Sequence, residues 1–96
     1  MLNITDKTEA NSIRFSLEGR LDANTAPQLE TILKGAPTQL ALVLDLEKLE
    51  YISSAGLRVF LSLQKIKKGA MKLIRVQPAV MEILEVTGFT DILEIE

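Results

Sequence analysis

A chain of 96 residues has room for a single hydrophobic core, and its formal net charge of −2 creates no field that would attract nucleic acid or anionic lipid. It contains no cysteine and no histidine, which excludes disulfides and thiolate metal sites and removes the usual general base of enzymes. No segment reaches the ~18–20 consecutive apolar residues of a membrane-spanning helix, and the first six residues lack the basic start and apolar core of a signal peptide. We therefore expect one domain over residues 1–96, in the cytoplasm, with no direct membrane insertion.

Two segments near the N-terminus alternate apolar and polar residues, as half-buried strands do. Their apolar positions are Leu2 and Ile4 in the first segment and Ile13, Phe15 and Leu17 in the second. Residues 9–12 between them are polar or small, which favours a turn. The sequence thus predicts an opening hairpin whose second strand ends at Gly19.

The next segment carries the signals of a helix start and a helix stop. Thr25 and Gln28 have capping-box spacing, and Pro27 falls in the first turn, where its missing N–H costs little. An apolar stripe follows and ends at Gly35, and Pro37 supports the stop. We expect the first helix over these residues.

A strand and a long helix come next. Residues 40–44 are all apolar, which indicates an interior strand covered on both faces. That strand is expected to end near Leu46 and to continue as a charged loop. Residues 54–68 then predict a helix that is apolar almost all round in its first half, so it should be the most buried helix.

The last third of the chain predicts a strand over residues 71–76, a helix from Pro78 to a stop at Gly88, and a short final strand within residues 92–95. The predicted order is ββαβαβαβ. This order indicates an α/β fold with a mixed, mostly parallel sheet of about five strands and about three main helices, because strand–helix–strand units pair their strands in parallel.

Several charged groups are candidates for catalytic or binding sites. Asp45, Glu47 and Glu50 could form a carboxylate pair, but a solvated loop after a strand explains them more simply. Lysines 65, 67, 68 and 72 fit a solvated helix end. The five glycines form neither a P-loop nor a G-x-G-x-x-G motif. We therefore expect no enzymatic activity, no metal and no cofactor.

The segment 49–57 combines features that ordinary packing does not require. Two hydroxyls, Ser53 and Ser54, stand at a predicted helix start and are followed by the small residues Ala55 and Gly56. Serine is a preferred N-cap residue, whereas a helix N-terminus also favours an oxyanion such as phosphate. Spacing alone leaves both interpretations open, and capping is the simpler one.

Three blocks of the chain resemble a known family. Residues 45–61, which read DLEKLEYISSAGLRVFL, resemble the signature of STAS domains, specifically the bacterial anti-sigma factor antagonists. Residues 19–29, GRLDANTAPQL, resemble the second block of that family, and Val86–Phe89 resembles its third. The blocks occur in the family's order and span essentially the whole chain.

The resemblance implies roles for particular residues. Ser54 stands at the family's phosphorylation position, and Ser53 is a rival because it occupies a position where members often carry aspartate. Asp22 falls where the family places a residue that contacts the kinase. The resemblance further implies a partner-binding surface formed by Asp22, Asn24, Thr25, Ser53, Ser54, Ala55, Gly56 and Arg58.

The resemblance also implies a partner-switching cycle in transcription regulation and stress response. The unphosphorylated domain would bind an anti-sigma factor that is also a serine kinase, and so free the sigma factor. Phosphorylation of Ser54 would release the antagonist, and a serine phosphatase would restore it. ATP and Mg²⁺ would belong to the partners, and a monomer is expected.

Two other classes of function stay open. A STAS subunit of a membrane transporter would bind its ATPase without any phosphorylation. A small enzyme that uses Ser54 or a carboxylate is the weakest alternative, because the sequence offers no group to activate such a nucleophile.

Overall fold

The computed structural model describes residues 1–36, 40–67 and 70–96. Its elements confirm the predicted order ββαβαβαβ, with one added turn of 3₁₀-helix before the last strand. They are β1 (Leu2–Thr8), β2 (Ser12–Leu21), α1 (Ala26–Lys34), β3 (Ala41–Ile52), α2 (Ser54–Lys67), β4 (Met71–Ile74), α3 (Pro78–Val86), the 3₁₀-helix (Phe89–Asp91) and β5 (Glu94–Ile95).

The five strands form one sheet in the order β1-β2-β3-β4-β5. β1 runs antiparallel to β2, and every later neighbouring pair is parallel. The expected turn joins β1 to β2, with the Glu9 N–H donating to the Ser12 carbonyl at 2.7 Å. The α/β class and the mixed, mostly parallel sheet are thus confirmed.

The core lies on one face of the sheet. Leu42 pairs in register with Ile13 and Met71, and Leu44 pairs with Phe15 and Leu73, so these side chains share that face. All three helices bury residues in the same cluster: Leu29 and Leu33 of α1, Phe60 and Leu63 of α2, and Val80 and Leu84 of α3.

The expectation that the interior strand is covered on both faces needs correction. Val43 is buried at 9% exposure but does not join the core cluster. Its cross-strand neighbours on that second face are Arg14 and Lys72. Long polar side chains, rather than a second helical layer, therefore surround this face of the strand.

The prediction of a charged loop after Leu46 is wrong, because β3 continues to Ile52. β2 is also longer than predicted: it continues past Gly19 to Leu21, and the two strands stay paired through Leu21 and Ile52. Gly19 has φ +110° and lies at a shift in register, so it bends the strand instead of ending it. A Cβ there would lie 2.3 Å from the Met1 carbonyl oxygen.

The capping box predicted for α1 is also wrong. Thr25 precedes the helix, but its side chain makes no cap hydrogen bond. Its hydroxyl instead donates to the Arg20 carbonyl at 2.9 Å, so it holds the preceding loop. Gly35 follows the end of α1 as predicted, while Pro37 lies outside the described residues.

The remaining elements match their predictions with small changes. α2 buries Leu57, Val59, Phe60 and Leu63, as its composition indicated. Lys67 is not a solvated lysine: it is 8% exposed, and its ammonium donates to the Leu40 carbonyl at 2.9 Å. Lys68 lies outside the described residues.

β4 ends two residues earlier than predicted, because Arg75 takes a left-handed backbone with φ +52°. Gly88 follows α3 with φ +80°, a conformation that suits glycine at a helix stop. The 3₁₀-helix that follows takes up residues 89–91, so the last strand has only two residues.

Candidate functional site

A single residue separates the end of β3 from the start of α2. The Ser53 N–H donates to the Leu21 carbonyl at 2.9 Å, and the Leu57 N–H donates to the Ser53 carbonyl at 3.0 Å. Ser53 therefore occupies the N-cap position by its backbone, and Ser54 is the first residue of the helix.

The two neighbouring hydroxyls lie in different surroundings. Ser53 Oγ is buried and has no hydrogen-bond partner within the described parts of the chain. Ser54 is exposed, and its hydroxyl makes no hydrogen bond to residues 1–36, 40–67 or 70–96. The simple capping interpretation therefore does not account for either hydroxyl, because neither one accepts a hydrogen bond from the helix N-terminus.

Gly56 sets how closely α2 approaches the sheet. A Cβ at this position would lie 2.7 Å from Leu21 Cγ and 2.9 Å from Ile52 Cγ1, which is closer than side chains tolerate. Both neighbours are fully buried and cannot move aside. Glycine at 56 thus lets the first turn of α2 lie against the ends of β2 and β3, with Ser54 on its outer side.

The loop between β2 and α1 is held by Asp22. Its carboxylate accepts the Asn24 N–H at 3.0 Å and the Thr25 N–H at 3.2 Å, and its own N–H donates to Thr25 Oγ1 at 2.9 Å. Burial acts to raise the pKa of the Asp22 carboxyl, but the hydrogen bonds from Asn24 and Thr25 outweigh it and hold the pKa below its ordinary value.

The fold brings this loop beside the start of α2. Leu21, which accepts the Ser53 N–H, immediately precedes Asp22. A groove of about 240 Å³ runs between α1 and α2, with Ala55 and Arg58 among its lining residues. We call the outward-facing group Asp22, Asn24, Ser54, Ala55 and Arg58 the α2-start surface.

The remaining expected site residues lie beneath that surface. Thr25 is 9% exposed and serves the loop, and Gly56 is buried against the sheet. Ser53 presents its backbone to Leu21 and has no exposed hydroxyl oxygen. These three residues position the loop and the helix instead of facing solvent.

A pair that received no role in the sequence interpretation lies at the same end of the sheet. Arg20 and Tyr51 are cross-strand partners, and the Arg20 guanidinium lies 4.3 Å from the centre of the Tyr51 ring. Such a cation–π contact holds an exposed arginine in place. Only the extended pairing of β2 and β3 reveals it, because the two residues are 31 positions apart.

The second face of the sheet carries a polar pocket of about 340 Å³. Asp45, 4% exposed, forms an ion pair with Arg75 there, and Arg75 Nε donates to Asp45 Oδ1 at 3.2 Å. Burial acts to raise the pKa of Asp45, but the hydrogen bonds from Arg75 and from the Glu47 N–H outweigh it and lower the pKa. The solvated-loop interpretation of Asp45 is therefore wrong.

Within the three described ranges, no cluster of three or more histidine, cysteine, aspartate or glutamate side chains is arranged to hold a metal ion.

None of the helices in the described residues has the length and apolar character needed to cross a membrane.

Known proteins and a family model are similar in sequence to this chain. A family model described as "Mlab, STAS domain" matches residues 4–94. BtrV of Bordetella bronchiseptica, named as a candidate anti-sigma factor antagonist, is 40% identical over 81 residues, which cover 79% of this chain and 70% of that protein. The anti-sigma-B factor antagonist of Bacillus subtilis is 30% identical over 98 residues, covering 98% of this chain and 90% of that protein.

Solved structures share the fold at low sequence identity. The anti-sigma factor antagonist SpoIIAA in its unphosphorylated form superposes with a TM-score of 0.81 at 15% identity, covering 98% of this chain and 88% of that one. The Bacillus cell fate determinant SpoIIAA in its phosphorylated form gives 0.73 at 14% identity, covering 98% and 91%. The family model spans nearly the whole chain and agrees with these relatives, so this chain belongs to the STAS domain family.

Proposed function

We propose that this chain is an anti-sigma factor antagonist that phosphorylation of Ser54 switches off. In its unphosphorylated form it binds, as a monomer in the cytoplasm, an anti-sigma factor that is also a serine kinase, and so releases the sigma factor. Two relatives at 30% identity or more carry antagonist names. The observation that carries the proposal is the exposed Ser54 hydroxyl at the first residue of α2.

Accessibility favours Ser54 over Ser53 as the phosphate acceptor. A kinase must bring the γ-phosphoryl group of ATP in line with the acceptor oxygen, which requires that oxygen to be exposed. Ser53 Oγ is buried, whereas Ser54 is exposed. The transfer forms a bond between phosphorus and Ser54 Oγ, releases ADP and passes the hydroxyl proton to a base of the kinase.

The physical effect of the phosphate differs between the free domain and the complex. It adds about −1.5 to −2 charges, which the positive end of a helix tolerates. In a docked interface the same charge is buried and poorly paired, at a cost of ~2–5 kcal/mol. That cost weakens binding by roughly 30- to 3,000-fold, while the phosphorylated SpoIIAA structure supports a fold that survives the modification.

The rest of the α2-start surface contacts the kinase. Asp22 and Asn24 lie in a loop that hydrogen bonds hold in shape, and Ala55 leaves room for a partner beside Ser54. A serine phosphatase acts on the same exposed position to restore the active form. The chain supplies a docking surface and an acceptor hydroxyl, and the partners supply the catalysis.

Substitution at Ser54 tests the switch. Ser54→Ala should bind the kinase with unchanged affinity and accept no phosphate. Ser54→Asp should have a free energy of unfolding within about 0.5 kcal/mol of the wild-type value and should bind the kinase at least ~30-fold more weakly. Urea denaturation and titration calorimetry measure the two effects. Ser53→Ala is the matched control and should still accept one phosphate. Equal binding by Ser54→Ala and Ser54→Asp would contradict the switch.

Purification of the untagged chain from its host tests the partner class. A co-purifying serine kinase that loses its bound sigma factor supports the antagonist function. Recovery of a transport ATPase in its place, with binding unaffected by Ser54→Asp, would support the transporter-subunit alternative.

A further inference from the structure

Arg58 is a cation for which the described residues provide no partner. It is exposed on α2, four residues after Ser54, and it makes no ion pair and no side-chain hydrogen bond within the described residues. Among the described residues that line the groove between α1 and α2, it is the only cation. An unpaired guanidinium one turn from the proposed acceptor is a feature that the docking function alone does not require.

Helix geometry places Arg58 next to Ser54. Residues four apart in a helix lie on one face with Cβ atoms ~5–6 Å apart. Helical side chains lean toward the N-terminus, so a residue covers the turn that precedes it. This geometry places Arg58 so that its long side chain can reach a group attached to Ser54 Oγ.

The other charged side chains around Ser54 and the groove already have partners of their own. Glu30 faces the same groove from α1, but it pairs with Lys34 at 3.3 Å. Asp22, in the adjacent loop, directs its carboxylate to the N–H groups of Asn24 and Thr25. The nearby Arg20 guanidinium is stacked on Tyr51.

We propose that Arg58 is the internal counter-ion of a phosphate on Ser54. The planar guanidinium pairs with two phosphate oxygens at once, a geometry that lysine does not reproduce. This inference rests on the proposed phosphorylation of Ser54 and adds a second element to its regulation. Phosphorylation then changes the α2-start surface twice: it adds a dianion, and it withdraws the Arg58 cation from the partner.

A phosphorus NMR titration tests the pair without any kinase. Phosphoserine is installed at position 54 during translation, and the ³¹P shift is followed from pH 4 to 9 in wild type, Arg58→Gln, Arg58→Lys and Lys65→Gln. A guanidinium partner favours the dianion, so Arg58→Gln should raise the titration midpoint by roughly half a pH unit. Arg58→Lys should recover part of that shift.

Lys65→Gln is the matched control, because it removes one positive charge from the exposed far end of the same helix and should leave the midpoint within about 0.1 unit. Equal midpoints for wild type and Arg58→Gln, with both variants folded by circular dichroism, would overturn the pairing. That outcome leaves the kinase reaction untouched. Conversely, if the kinase does not phosphorylate Ser54, the proposed switch is refuted even when the installed phosphate pairs with Arg58.

Discussion

At the start of α2, three adjacent small residues have separate physical roles. Ser54 offers an exposed hydroxyl, Ala55 lines the groove toward α1, and Gly56 lies against the ends of two strands. Residues two positions apart in a helix point to different sides. Ser54 can therefore face outward while Gly56, which must lack a side chain, faces the sheet. A change at Gly56 should therefore act on folding, whereas a change at Ser54 should act on binding.

Gly56→Ala should destabilise the fold by ~1–3 kcal/mol, because its Cβ would overlap the buried side chains of Leu21 and Ile52. Helix propensity alone would predict a gain of ~1 kcal/mol, so the sign of the effect tests the contact. Gly35→Ala is the control: its Cβ would meet carbonyl oxygens at 3.5 Å with φ −81°, and it should be neutral or stabilising by ~0.4–1 kcal/mol. Urea denaturation measures both, and equal effects would contradict the packing account.

At the scale of elements, Arg75 ties the centre of the sheet to the chain that leads into α3, through ion pairs with Asp45 and Glu47. Asp45 lies in the middle of β3, and Arg75 directly follows β4 in a left-handed conformation. The Gln77 side chain donates to the Glu47 carbonyl and adds a second link. β3 is thus held at the open face of the sheet by polar contacts and at the core face by apolar packing.

The Asp45 pair should make stability depend on pH. Its pKa in the folded protein is lower than its ordinary value of 3.8, so the unfolded chain binds the proton more tightly. The stabilisation is therefore complete above pH 3.8 and is lost as the pH falls through the lower pKa of the folded state.

Asp45→Asn should cost ~1–2 kcal/mol at pH 7, because Arg75 is half-exposed and keeps both its solvation and its ion pair with Glu47. It should also flatten the fall in stability below pH 3.8. Urea midpoints between pH 2 and 7 measure both effects. Asp6→Asn, at an exposed position of the edge strand β1, is the control and should keep the wild-type slope. A parallel slope for Asp45→Asn would contradict the assignment.

For the whole molecule, the one-sided core makes stability uneven across the sheet. β3 has a partner strand on each side and contacts α2 and α3, whereas β5 is a two-residue edge strand. Global opening is the route that exposes the fully buried residues of β3, Leu42 among them, while β5 opens locally.

Amide exchange should reveal this difference. The Leu42 N–H donates to the Ala70 carbonyl at 2.8 Å, and the Glu96 N–H donates to the Leu73 carbonyl at 2.9 Å. Although these bonds have similar lengths, the Leu42 amide should exchange at least ~10³-fold more slowly than the Glu96 amide, because global opening costs at least ~5 kcal/mol. Native-state hydrogen exchange by NMR measures the ratio, and comparable rates would contradict an uneven core.

Local signals in the sequence predicted most elements of this protein. Alternation at Ile13, Phe15 and Leu17 identified β2, Pro27 and Gly35 bracketed α1, and Gly88 marked the end of α3. The predictions failed where distant partners decide the backbone. The polar stretch around Glu47 reads as a loop, yet it is a strand because β2 pairs with it.

The sequence by itself determined the order of the elements and the position of Ser54 at a helix start, since each depends on residues within a few positions of one another. The alternation of strands and helices in that order then indicated parallel strands, because crossover connections are right-handed. Only the tertiary structure decided which hydroxyl is exposed, that Thr25 holds a loop instead of capping a helix, and that Asp45 pairs with Arg75. These outcomes depend on which side chains the fold brings together from far apart in the chain. Burial and long-range pairing are properties of the packed molecule, and no local pattern encodes them.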